Sequence, residues 1–265
     1  EYLSMLHKVW NNLTEQKIYL TGGCGALYNG VSPYGNFWID QKIHQAFGHE
    51  YQLPNITAYN ETCASIGSVL WACRMFNINP EARYFDHIEK TMLNVNLAAI
   101  SFDGRKFFYE NMLRRAKKLP FELCWPLERT EYIQSFCCPP NLARILAQTT
   151  EYACMISKDS VWMGMYGENE ISVRLENGAD FVMVQKTGYP WDGRISFTFR
   201  DVRRNVPFSL NIRVPGWVES GYIIDPKGKK RELSAADASS YIALEVENLP
   251  DARIEVFFDM PVRYT

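Results

Sequence analysis

Four side chains in two short runs carry the strongest chemical signal in this sequence. Glu61 and Cys63 stand in AYNETCASIG, and the adjacent pair Cys137 and Cys138 stands in SFCCPPNLAR. One carboxylate and three thiols are enough to fill four coordination positions around a zinc ion. Two neighbouring cysteines that both serve a metal need a sharp local backbone, and Pro139-Pro140 supply stiffness directly after them. The prolines also suit the first turn of a helix. The free amides and dipole of a helix start stabilise a nearby anion, so both thiols are expected to ionise more readily than a free cysteine, whose pKa is ~8.5. Glu61 and Cys63, two apart, can reach one metal where a loop becomes a helix. The residues alone also admit a plainer reading, with Cys63 and Cys73 as small core residues, Glu61 as a helix cap and the vicinal pair incidental. Against it, an adjacent cysteine pair followed by Pro-Pro at a helix start is a costly arrangement to carry without use.

The elements that must position these groups fall into two regions dividing near residue 158. Before it the periodicity is helical. Leu3, Leu6, Val9, Trp10 and Leu13 predict an amphipathic helix over 2–16. A second helix is expected over about 60–76, with Cys63, Ile66, Leu70 and Cys73 on one face, and a third over about 80–99, with Tyr84, Ile88, Met92 and Val95. A last one is expected from about 139 to 157, opened by the two prolines. Residues 21–36 form a glycine-rich run without a phosphate-loop lysine, which reads as a shaped loop rather than a nucleotide site. Residues 100–112 read as a short hairpin around Asp103-Gly104. After 158 the period changes to two, and seven strands from VWMGMYG to RIEVFFDMPVRY point to an antiparallel β-sandwich. Four helices do not close a helical domain around a pocket. The chain therefore reads as a piece of a longer protein, or as one that completes its core with another subunit.

Bulk properties narrow the function classes. An apolar fraction of 47% is that of a globular protein with a real core, and aromatics reach 14%, which serves either sugar stacking or large aromatic cores. Net charge is −2 with scattered basic residues, which favours neither nucleic acid nor an anionic membrane surface. No apolar run approaches the ~20 residues of a membrane helix. The start EYLSMLHKVW lacks the basic region and unbroken apolar stretch of a signal peptide. Seven cysteines, an odd count, argue for free or metal-bound thiols over a full disulfide framework. That favours the cytosol, although a zinc-capped site would also survive in a periplasm.

At these residues the sequence resembles the bacterial β-L-arabinofuranosidases of glycoside hydrolase family 127 and their relatives in family 146. The matching runs are YLTGGCGA (19–26), AFGHEYQLPNITAYNETCASIG (46–67), SFDGRKFFYENML (101–113) and SFCCPPNLARILA (135–147), with GYPWDG and RVPGW later in the chain. The resemblance covers essentially the whole chain and implies an α+β multidomain fold. Residues 1–158 are then part of an (α/α)6 toroid carrying the zinc site, without a counterpart for about its first half, and 159–265 a jelly-roll-like β-sandwich. It implies a Zn2+ cofactor held by Glu61, Cys63, Cys137 and Cys138, with Cys137 as the nucleophile that attacks the anomeric carbon with net retention. It also implies Tyr109, His44 and Glu61 as substrate contacts. The partner is a carbohydrate, β-L-arabinofuranosides or a related, acidic plant pentose. An open half-toroid predicts a large exposed apolar face, covered by a second copy or a partner chain.

One departure bears on turnover. A retaining glycosidase uses a second group that protonates the departing oxygen and later activates water. The family carries a glutamate where this sequence has Gln45, and a histidine where it has Ser135. A carboxamide cannot donate a proton at neutral pH; it can only orient. Three explanations stand: the substrate brings its own carboxylate, as aceric acid would; His44, His49 or Glu50 supplies the proton; or the chain is a non-hydrolytic zinc-containing relative that binds sugar or serves structure. A thiol redox protein is the weaker alternative, since no Cys-x-x-Cys pair is present.

Overall fold

The computed structural model describes residues 1–27, 46–116 and 125–262. The element order is helices, then strands, an α+β chain. Two compact units divide it, one of Glu1–Asn77 and His87–Ala147, the other of Ile78–Asp86 and Gln148–Thr265.

Of the helices, α1 spans Tyr2–Gln16, α2 spans Thr62–Ile78, α3 spans Ala82–Thr91, with residues 82–86 assigned to the second unit, and α4 spans Cys138–Ala147. Trp10 and Leu13 of α1 are buried, and Trp10 meets Trp71 and His87 edge-on at 5.1 and 5.4 Å between ring centroids. Leu3 and Val9, expected on the same stripe, are exposed. The core face of α2 is also rotated from the expected one. Thr62, Ile66, Val69, Ala72, Met75 and Phe76 are buried, while Cys63, Leu70 and Cys73 are half-buried. The expected stripe after residue 80 is in place: Tyr84, Ile88, Met92 and Val95 are all buried. The chain there loosens into a π-helical turn over Met92–Asn96.

The 100–112 stretch forms isolated bridges rather than a strand pair. Ile100 pairs with Phe107 around a turn in which Gly104 has φ +73°, and Phe107 pairs with Thr130. The last helix stops ten residues short of the expected end, at Ala147, where two β-branched threonines begin a 3-10 turn over Thr149–Tyr152.

The second unit carries ten strands: β1 Cys154–Ile156, β2 Ser160–Met163, β3 Asn169–Arg174, β4 Asp180–Thr187, β5 Arg194–Arg204, β6 Phe208–Val214, β7 Ser220–Ile224, β8 Lys230–Ser234, β9 Ser240–Val246 and β10 Arg253–Phe258. They form two sheets, ordered β1-β2-β6-β9 and β3-β4-β5-β10-β7-β8. The expected all-antiparallel pairing is corrected at one place: β2 and β6 run parallel, Val161 opposite Leu210. Alternation turns Val161, Leu210 and Ile212 of the first sheet and Phe181, Phe197 and Phe258 of the second into one shared apolar core. Arg213 of β6 is fully buried in this unit. It binds Asp86 at 2.6 Å and the Gly164 carbonyl at 2.8 Å, and Ser239 donates to the other Asp86 oxygen at 2.6 Å.

Candidate metal centre

Two helix starts converge on one cluster. The Ser65 amide donates to the Glu61 carbonyl at 3.0 Å, so Glu61 is the cap residue of α2 and Cys63 lies in its first turn. The Asn141 amide donates to the Cys137 carbonyl at 3.3 Å, which makes Cys137 the cap of α4 and Cys138 its first helical residue. Pro139 and Pro140 follow at positions whose N–H groups would have no partner within the helix. The carboxylate of Glu61 and the sulfurs of Cys63, Cys137 and Cys138 lie within 4.8 Å of one another, a set that could hold a metal ion. Cys63 Sγ is 3.4 Å from Cys138 Sγ, and Cys137 Sγ is 3.7 Å from it. These are contacts between thiols, not disulfide bonds.

The loops before the helices are built to reach this spot. The described start of the glycine run, residues 21–27, folds against the segment that leads into α2: Gly23 lies so close to Asn60 that an added Cβ would stand 2.0 Å from its Oδ1, and at Gly25 it would stand 2.5 Å from the Tyr59 carbonyl. Thr62 N donates to the Tyr109 carbonyl at 3.0 Å and Asn111 N to the Asn60 carbonyl at 2.9 Å, flanking a bridge between Glu61 and Glu110. This brings Tyr109 beside the cluster, where its hydroxyl favours the ionised form of Glu61. Tyr109 stacks on Trp125 at 3.8 Å between centroids, and Trp125 Nε1 donates to the Tyr59 hydroxyl at 3.4 Å. Tyr59, Tyr109, Ile133 and Cys138 form the small apolar cluster that floors the site.

The electrostatics order the three thiols differently from the sequence expectation. Cys63 is the one favoured as thiolate, brought down to about 6 chiefly by hydrogen bonding from Cys138, with Asn141 as a further donor. Cys137 is pushed up, first by burial and then by Cys63; Cys138 is pushed up, first by its hydrogen bond to Cys63 and then by burial. The physical reason is that one negative charge is shared among three sulfurs, and the two prolines remove N–H donors that a helix start would otherwise offer. Burial raises the Glu61 carboxyl, and the charge of Cys63 raises it further.

The four sequence-proposed ligands and Tyr109 are thus brought together. His49 and Glu50 are exposed near a surface turn, and Ser135 is exposed ahead of α4. Gln45 and His44 lie outside the described residues. Two neighbours of the cluster escaped sequence reasoning. Glu110 is fully buried, and neither of its carboxylate oxygens has a hydrogen-bond partner; burial pushes it up to about 8. Its position next to Tyr109 in FFYENM was the available signal. Asn141 donates from Nδ2 to Cys63 Sγ at 3.2 Å and was visible as the last residue of CCPPN.

No helix among the described residues is long and apolar enough to cross a membrane. Residues 1–151 match the family described as "Beta-L-arabinofuranosidase, GH127 catalytic domain", and residues 160–260 match its "GH127 middle domain". A non-reducing end β-L-arabinofuranosidase of Bifidobacterium longum subsp. longum is 27% identical over 97% of this chain and 37% of its own length. A solved structure titled "Glycoside hydrolase" superposes with a TM-score of 0.86 at 39% identity, over 95% of this chain and 42% of that one. A GH127 β-L-arabinofuranosidase from Geobacillus stearothermophilus T6 gives 0.76 at 29% identity, over 96% and 38%. The chain spans about two fifths of the length of these relatives. Since both parts match one family, in catalytic-then-middle order, the chain belongs to the GH127 β-L-arabinofuranosidase family.

Proposed function

We propose that this chain carries the zinc-thiolate portion of a retaining glycoside hydrolase. Its substrate class is β-L-arabinofuranosides or a related, acidic plant pentose. The observation that carries the reading is the size of the donor set. A tetrahedral zinc with Zn–S bonds of ~2.3 Å places its sulfurs ~3.8 Å apart. The Cys63–Cys138 and Cys137–Cys138 separations of 3.4 and 3.7 Å are close to that edge, and the Glu61 carboxylate completes the set. Glu61, Cys63, Cys137 and Cys138 would hold the ion, which when bound keeps the sulfurs ionised and aimed. In this reading residues 1–158 are a segment of an (α/α)6 toroid and 159–265 a β-sandwich.

Cys137 is the proposed nucleophile. Cys138 is fully buried and Cys63 is engaged by Asn141 and Cys138, whereas Cys137 is half-buried at the helix cap. Its sulfur would bond to the anomeric carbon as the glycosidic oxygen leaves and takes a proton. Water would then displace the sulfur from the side opposite it, the face the glycosidic oxygen left, so that two inversions give retention. Tyr109 and Glu61, with His44, are the proposed sugar contacts.

The test has two arms. Elemental analysis of chelator-free protein should find about one zinc per chain, and less than half an equivalent would sink the coordination claim. An electrophilic arabinofuranosyl analogue should label Cys137, read by peptide mass spectrometry. A second reading is favoured by Gln45: a non-hydrolytic zinc-containing relative that binds sugar or serves structure. In that case zinc is present and Cys137 stays unlabelled.

A further inference from the structure

The three sulfurs of the centre share one small space yet have to do different things. What tells them apart is the helix start they surround. Helical side chains lean toward the N-terminal end of their helix. Asn141 sits one turn into α4, and its backbone amide already closes the first helical bond onto Cys137. Its side chain therefore reaches back over the helix start, and there Nδ2 meets Cys63 Sγ at 3.2 Å, within hydrogen-bond reach for sulfur. Pro139 and Pro140 between them carry no N–H. Two of the donors a helix start normally turns toward an anion are thus missing, and the Asn141 carboxamide stands where a donor is needed. It points at a sulfur from the other helix, 78 positions away in the chain.

We propose that Asn141 is a positioning residue of the metal centre. Its Nδ2–H fixes Cys63 as the spectator thiolate, holding it on the metal and blunting its nucleophilicity, and so leaves Cys137 as the sulfur that reacts. This rests on the zinc-thiolate reading above and deepens it by assigning the division of labour among the sulfurs. A hydrogen bond to a ligating thiolate draws electron density from sulfur, and loss of such outer contacts typically weakens metal binding 10- to 100-fold.

The experiment uses the full metal-loaded chain and three variants. Asn141→Leu keeps the bulk and removes the donor, Asn141→Asp keeps the shape and replaces the donor with an acceptor, and Asn141→Gln retains a donor on a longer arm. Zinc affinity is read by chelator competition. The cobalt-substituted proteins report thiolate character through their sulfur-to-metal charge-transfer band. Iodoacetamide labelling with peptide mass spectrometry gives the relative alkylation of Cys63 and Cys137. The expected result is zinc affinity lower by about 10-fold or more in Leu and Asp, with a shifted charge-transfer band and faster Cys63 alkylation, and partial return of all three readouts in Gln. If Leu does not fold, the contrast between Asp and Gln decides. Wild-type values for affinity, band and Cys63 labelling in folded Leu or Asp variants overturn the proposal alone. A wild-type protein that takes up neither zinc nor cobalt overturns the proposal together with the metal reading.

Discussion

Glu61 and Glu110 face each other as a non-hydrogen-bonded antiparallel pair, since the bonds Thr62 N to Tyr109 O and Asn111 N to Asn60 O flank them on either side. Such partners put their side chains on the same face with Cβ atoms ~5 Å apart, and like charges placed so repel. A buried second carboxylate with no donor therefore stands beside the proposed metal ligand. Burial, and then the charge of Glu61, hold the Glu110 carboxyl up to about 8. An acid whose folded pKa is raised binds an extra proton in the native state, so its contribution is whole below ~4.5 and is lost as pH climbs through 8. Metal-free wild type should lose on the order of 4 kcal/mol more stability than Glu110→Gln between pH 5 and 9. Urea unfolding across that range reads the difference; parallel curves for the two proteins would refute it.

His87 gives the opposite slope. It is buried against Trp10, hydrogen-bonded to Ser68 at 2.8 Å, and burial brings it down to about 4. Below ~6.5 the unfolded chain takes up a proton that the folded one refuses, so stability is full above that pH and declines toward pH 4. The loss should reach on the order of 3 kcal/mol. His87→Phe should flatten the curve between pH 4 and 6.5, measured by denaturant titration; a wild-type profile in the variant would exclude His87 as the cause.

Among the ion pairs of the described residues, Arg213–Asp86 has a fully buried cation. Removing Asp86 leaves the Arg213 charge without the carboxylate that balances it. Asp86→Ala should cost about 3–5 kcal/mol. The double change Arg213→Met, Asp86→Leu should recover part of it. A double-mutant cycle by chemical denaturation checks both, and a loss below about 1 kcal/mol for Asp86→Ala would mean Arg213 finds another partner.

The proposed function makes turnover on neutral sugars depend on Gln45. If the missing acid is all that limits the site, Gln45→Glu should raise hydrolysis of an aryl β-L-arabinofuranoside by about 100-fold or more. Release of the aryl alcohol is the measurement. An unchanged rate on every neutral pentoside tested would favour an acidic substrate or a non-hydrolytic role.

Much of this cluster could be read from residue order, because its proposed ligands sit at helix starts. Glu61-x-Cys63 and Cys137-Cys138-Pro-Pro announce loop-to-helix junctions through their own composition, and the helix stripe at Tyr84, Ile88, Met92 and Val95 survives intact. What residue order hid was tertiary. The α2 core face is set by neighbours rather than by its own nearly all-round apolar sequence, so the face predicted around Leu70 and Cys73 was rotated. Strands β7 and β8, SGYII and KRELS, were missed because one holds a glycine and the other is mostly polar. Gly221 is required there: an added Cβ would stand 2.1 Å from the Phe257 carbonyl of the neighbouring strand. Glu110 has only its place beside Tyr109 to point to it, and that place does not say which polar residue of FFYENM turns inward.

The distance along the chain between the two cysteine-bearing helix starts has a consequence of its own. Cys63 and Cys138 are 75 positions apart. An ion gripping both would stitch that loop shut, and a covalent cross-link of similar span restrains the unfolded chain by about 4 kcal/mol. Chelation would then do more than silence a reagent. It would cut the stitch between α2 and α4, let the intervening chain loosen, and make metal supply a condition of keeping this part of the protein folded.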